Sequence, residues 1–127
     1  MGLTQVHANL ATAVMLFNAL VGAWGLIKYL RGEGMDGSYF GAVALSPLLG
    51  LAQAVVGLAL VAQGLGGIVR AVHYLYGALV VLAVPATFAY TRGRDDRGAL
   101  LLYSAVLLVN AVFGARAVET ARFGAPF

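Results

Sequence analysis

The chain has 127 residues, 61% of them hydrophobic and 10% charged, with a net charge of +3 and no cysteine. Soluble domains carry roughly a quarter charged residues, so this chain is too apolar to cover a water-facing surface and must present side chains to lipid. The absence of cysteine excludes disulfides, thiolate metal sites and CxxC redox chemistry, and the small positive charge, spread over helix ends, does not point to nucleic acid.

Four runs nearly free of charge predict four helices, at residues 7–30, 39–62, 68–91 and 99–121. At 1.5 Å per residue each reaches about 35 Å, enough to cross a hydrocarbon core of about 30 Å with some tilt. Backbone polar groups in lipid must be satisfied within their own segment, so such runs are helical. The first run opens at His7 and holds Asn18. The residues before it, 1–6, carry no Lys or Arg, so no cleavable signal is expected. The link at 31–38, with three glycines and two acids, stops the helix. The second run contains Pro47, Gln53 and Gly57, and is followed by a glycine-rich link at 63–67. The third contains Arg70, His73, Gly77 and Pro85, and the charged link 92–98 leads into the fourth, with Asn110, Gly114 and Arg116. Each proline is read as tolerated within its helix.

Short links make consecutive helices antiparallel neighbours. The expected fold is therefore a single all-α domain, a membrane four-helix up-down-up-down bundle. Lys28, Arg31, Arg92, Arg94 and Arg97 fall on one side, against Arg70, Arg116 and Arg122 on the other. The excess places the first and third links in the cytoplasm and both termini outside a multi-pass cell-membrane protein. Tyr29, Tyr39, Tyr90 and Tyr103 fit interfacial belts.

An internal repeat is visible. Val6-His7 opens the first helix and Val72-His73 the third; Gln53-Ala-Val-Val-Gly57 in the second matches Asn110-Ala-Val-Phe-Gly114 in the fourth. The chain reads as two similar helical hairpins, related by a pseudo-two-fold axis along the membrane normal.

His7 and His73 are the only histidines. Either alone reads as an interfacial side chain with its polar tip among the headgroups. As a pair they start two helices that run in the same direction and lie diagonally across a bundle. If both rings turn inward they are placed to ligate one haem iron axially. Small residues at that level, Gly57, Gly77 and Gly114, leave room for a porphyrin, although small residues also serve close packing of membrane helices. Arg70 and Arg116 lie towards the outer side, where haem propionates would need guanidinium partners. Alternatively they reach headgroups, or Arg116 pairs with Glu119. Tyr74 and Tyr76 flank His73 and could pack on a haem edge. Gln53, Asn110 and Asn18 are read as interhelical hydrogen-bonding glue. No Asp, Glu or Lys lies centrally in any run, which disfavours proton-coupled transport.

The order His7, Gln53-x-x-x-Gly57, His73 resembles haem A synthase, the membrane enzyme that oxidises haem O. In that family a four-helix unit carries a His near the outer end of one helix, a Gln-x-x-x-Gly stretch in the next, and a His at the start of the helix after. The resemblance implies a compact, single-unit relative that pairs into dimers, or more generally a bis-His b-type cytochrome. It also implies a Glu one turn before a ligand His, where this chain has Thr4 and Arg70. The expected function is haem b binding, for electron transfer, haem handling or haem-A-synthase-like oxidation. The alternative is a non-catalytic accessory subunit or assembly factor of a larger, respiratory membrane complex.

Overall fold

The computed structural model describes residues 2–65 and 71–121. Among these the regular structure is four helices and no strand: α1 (Leu3–Leu30), α2 (Gly37–Ala62), α3 (Ala71–Thr91) and α4 (Arg97–Ala121). All four are long and apolar enough to cross a membrane, as in a multi-pass membrane protein. Large apolar side chains such as Leu20, Leu48, Leu58 and Leu82 point outward. A water-soluble fold would bury them; in lipid an apolar perimeter costs nothing.

Three helices begin differently from the apolar runs, for local reasons. α1 starts at Leu3, because nothing in Leu3-Thr-Gln-Val resists a helix even though it is too polar to count as a span. His7 therefore sits in the second turn. α2 starts at Gly37 because the Asp36 carboxylate caps it, accepting the Tyr39 N–H at 2.8 Å. α4 starts at Arg97 behind an equivalent cap, with Asp96 accepting from the Ala99 N–H at 2.7 Å. Pro47 and Pro85 lie inside α2 and α3.

α1 packs most extensively on α4, and α4 also on α3; α2 completes the ring between α1 and α3. Contacts run in opposite order along neighbours. Asn18 meets Ser46, and His7 meets Gln53; His73 meets Ala117, and Val80 meets Asn110.

The dense core lies towards the α1–α2 and α3–α4 links. Tyr39, Leu100, Tyr103 and Leu107 are fully buried there, beside Val21, Val43, Val84 and Ala99. The Tyr39 hydroxyl donates to the Val21 carbonyl at 3.0 Å and lies 3.4 Å from Ser104 Oγ. Gly25 makes this approach possible: a Cβ there would collide with the Tyr39 and Ser104 oxygens. Tyr103 meets Thr91 Oγ1 at 3.3 Å. Tyr39 and Tyr103 are thus core residues rather than belt residues, because each hydroxyl finds a partner inside the bundle. Tyr90 is outward, and Tyr29 is half-buried beneath the Arg97 guanidinium, 3.9 Å from its ring centre.

Lys28 is also buried. Its ammonium donates to Asp36 at 2.8 Å and Glu33 at 3.2 Å, tying the end of α1 to the cap of α2. The Lys28 ammonium, with the Tyr39 N–H behind it, holds the Asp36 carboxyl below the usual carboxylate range. Arg97 closes the same end from α4, donating twice to the Tyr29 carbonyl.

Between this core and the other end lies a layer of buried amides and hydroxyl. Asn18 Oδ1 accepts from Ser46 at 2.6 Å and from Asn110 at 3.2 Å; Asn18 donates to the Val14 carbonyl at 2.8 Å. Asn110 donates also to the Val80 carbonyl at 3.1 Å. One layer thereby joins all four helices, since polar groups surrounded by apolar side chains and lipid have no water to turn to.

Candidate functional site

Beyond the amide layer the four helices line a cavity of about 450 Å³. This falls within the range of small-molecule sites, about 300–1,000 Å³. Val14, Gly50 and Val80 form its floor, directly above the amide layer that holds the Val14 and Val80 carbonyls. Its walls are almost entirely apolar, and its polar side chains among the described residues are Thr4, His7, Gln53, His73 and Tyr74. Leu58, Val61 and Tyr74, which line it from α2 and α3, are also exposed on the outer surface, so the cavity has a mouth between those two helices.

His7 from α1 and His73 from α3 enter from opposite sides. Their ring centres are 6.2 Å apart and the ring planes are inclined at 68°. Two imidazoles that bind one metal through one nitrogen each, with bonds of about 2.0–2.1 Å, have centres roughly 6 Å apart. Each ring must only stand perpendicular to an intervening macrocycle and is free to turn about its own metal–nitrogen axis, so their mutual inclination is unrestricted.

The tautomer of His73 follows from its partner. Nδ1 lies 2.7 Å from the Ala117 carbonyl of α4, which can only accept. Nδ1 therefore carries the proton and donates, and Nε2 keeps its lone pair. A metal-binding histidine is typically oriented in this way, through a backbone carbonyl on its other nitrogen. His7 Nδ1 is buried with no hydrogen-bond partner. Gln53 donates from Nε2 to the His7 backbone carbonyl at 2.9 Å, and its Oε1 is buried without a partner. Buried polar atoms are rarely left unpaired; the third such atom among the described residues is Asn110 Oδ1, in the amide layer below.

The glycines singled out from the repeat all line this cavity, with different surroundings. A Cβ on Gly57 would lie 3.1 Å from His7 Cε1, so its absence makes room for the imidazole. A Cβ on Gly77 would meet nothing within 4 Å and would project into open space. Gly114 takes Met15 instead: its Cβ would lie 2.8 Å from Met15 Cγ. Tyr74 stays at the cavity, 5.8 Å from the His73 ring, whereas Tyr76 packs against Phe113.

Arg116 does not line the cavity. It pairs with Glu119 one turn on and lies over the Tyr76 ring, 5.9 Å from its centre. A carboxylate on the same helix face is a nearer partner than any group in the cavity. Arg70 lies outside the described residues. Gln53 is the residue whose reading changes most. It does bond across helices as expected, donating from α2 to the His7 carbonyl of α1, but it is also a wall of the site, and its position one turn before Gly57, beside His7, is the sequence signal that could have found this second role.

The described residues contain no group of three or more His, Cys, Asp or Glu that could hold a metal ion. A bare ion is poorly served by two imidazoles, since zinc sites use three or four protein ligands. An iron already held in a macrocycle needs only two axial ligands. The described residues thus offer two imidazole donors at this spacing, with open space beside Gly77, and no third ligand of the kind a bare ion takes. Comparison with protein-family models, with curated proteins and with solved structures gave no match to this chain.

Proposed function

We propose that this is a haem b-binding integral membrane protein in which His7 and His73 are the axial ligands. The observation that carries the reading is the 6.2 Å separation of two imidazoles inside one apolar cavity. His73 is already held with Nε2 free by the Ala117 carbonyl. Gly57 gives the His7 ring room, Gly77 leaves open space for the macrocycle, and Tyr74 flanks it at the mouth. Arg70, one turn before His73 in sequence, is the candidate partner for a propionate.

When bound, the haem supplies a one-electron redox centre. The chain's own residues orient the iron ligands and exclude water from them. The cavity has no carboxylate among the described residues. Thr4, where the haem-A-synthase pattern expects a Glu, reaches the cavity but carries no carboxylate. This favours electron transfer or haem handling, as an accessory subunit of a larger complex or a homodimer, over haem oxidation. Arg92, Arg94 and Arg97 support an orientation in the cell membrane with the α3–α4 link in the cytoplasm and both termini outside.

An absorption spectrum of the detergent-purified protein tests the reading. The expected result is stoichiometric haem with a sharp Soret band and a low-spin bis-His signature. His7→Ala and His73→Ala should each abolish that signature. A wild type that stays colourless after incubation with haemin overturns the proposal. So does stoichiometric haem in the double variant.

A further inference from the structure

We infer that Gln53 is the positioning residue for His7: its Oε1 accepts a hydrogen bond from His7 Nδ1–H and so directs the Nε2 lone pair into the cavity. The inference rests on the haem reading for its purpose but not for its geometry. The Gln53 amide has only one workable orientation. Its Nε2 donates to the His7 backbone carbonyl at 2.9 Å, and an oxygen placed there would face another acceptor. Oε1 is therefore an acceptor without a donor, buried beside the residue to which its own amide is tied.

On the same wall His7 Nδ1 is buried and equally without a partner. The His7 ring is held close to α2, one turn beyond Gln53, because Gly57 has no side chain to keep it away. An acceptor that cannot donate and a ring nitrogen that can carry a proton, on two residues already joined by the bond from the Gln53 amide to the His7 carbonyl, are complementary. Closing a bond between them removes two unpaired buried atoms at once.

The arrangement then matches the opposite side of the cavity. There the Ala117 carbonyl accepts from His73 Nδ1–H. With both imidazoles in the Nδ1–H tautomer, both Nε2 lone pairs are free for one iron. Without the Gln53 side chain, His7 Nδ1 would lose the amide oxygen that selects its tautomer, and the ring would be freer to turn its lone pair away. Groups that orient a ligand in this way are typically worth 10–100-fold in metal affinity.

The test uses ¹⁵N-histidine-labelled full-length protein in detergent, first without haem. Ring ¹⁵N–¹H correlation spectra should show Nδ1–H for both histidines in the wild type. In Gln53→Met, His7 should move to the Nε2–H form or a mixture while His73 is unchanged. Gln53→Glu, which keeps an acceptor oxygen, should restore the Nδ1–H form. In the haem-loaded protein, Gln53→Met should weaken haem retention about 10–100-fold and move the midpoint potential, with Gln53→Glu restoring retention. A wild-type His7 in the Nε2–H form overturns the inference whether or not any variant folds. So does a Gln53→Met variant with the His7 tautomer unmoved. If the wild type takes up no haem but the tautomer results hold, the haem reading fails and the positioning role of Gln53 stands.

Discussion

The two halves of this bundle use similar helices to opposite ends. From Asn18 and Gly25 of α1 towards the links, side chains fill the interior. Tyr39, Tyr103, Leu100 and Leu107 are fully buried, and every hydroxyl named there has a partner. From Val14 towards His7, many of the residues that face the middle are small, among them Ala11, Gly50, Ala54, Gly57, Gly77 and Gly114. There the helices enclose about 450 Å³ of space, and two polar atoms on its wall are left unpartnered. Glycine has contrary roles in the two halves. Gly25 is missing a side chain so that two others may touch, and Gly77 is missing one so that nothing does. A membrane bundle lacks a hydrophobic driving force between helices, and its stability comes from packing and interhelical hydrogen bonds. Concentrating both in one half leaves the other free to hold a ligand.

Substitutions in each half should therefore give separable effects. The largest is expected at Gly25→Leu, which drives a side chain into Tyr39 and Ser104 and should cost about 3 kcal/mol of stability. Reversible unfolding in detergent measures it; a near-neutral result would mean that the packed half does not hold the bundle. Asn110→Leu removes donors to Asn18 and to the Val80 carbonyl and should cost about 1–2 kcal/mol by the same measurement.

Gly57→Ala should leave the melting temperature nearly unchanged yet shift the Soret band or weaken haem retention, since its methyl presses on the His7 ring. A loss of stability without a spectral change would break the division between the halves. Acidification probes the packed end. Because Asp36 is held below the ordinary carboxylate range, it contributes stability above that range and loses it as the pH falls through its depressed value. Asp36→Asn should flatten this acid-limb dependence of the melting curve. The smallest effect is expected at Gly77→Ala, where the new methyl meets nothing and stability should not fall.

Much of the site's raw material was legible along the chain, but its wiring was not. His7 and His73, Gly57, Gly77 and Gly114 stand out as repeat partners or small neighbours of a histidine, and all line one cavity. Arg116 was ambiguous because a helix face offers it Glu119 as readily as a ligand, and the local partner is the one it meets. Tyr39 and Tyr103 lie near helix ends, where an aromatic belt and a buried core look identical in sequence; only the neighbours of each hydroxyl distinguish them. Asp36 and Asp96 read as loop charges, and their work as helix caps shows only once the chain turns.

The sequence by itself determined that this chain makes four membrane-length helices, because segment length and apolarity act locally and lipid allows a backbone few other choices. Tertiary structure alone decided which nitrogen of His73 is free, which buried polar atoms are left unpaired and where the interior stays open. Those properties belong to distances between helices. The Ala117 carbonyl, 44 residues beyond His73, has no signature in the sequence that would mark it as that ring's partner.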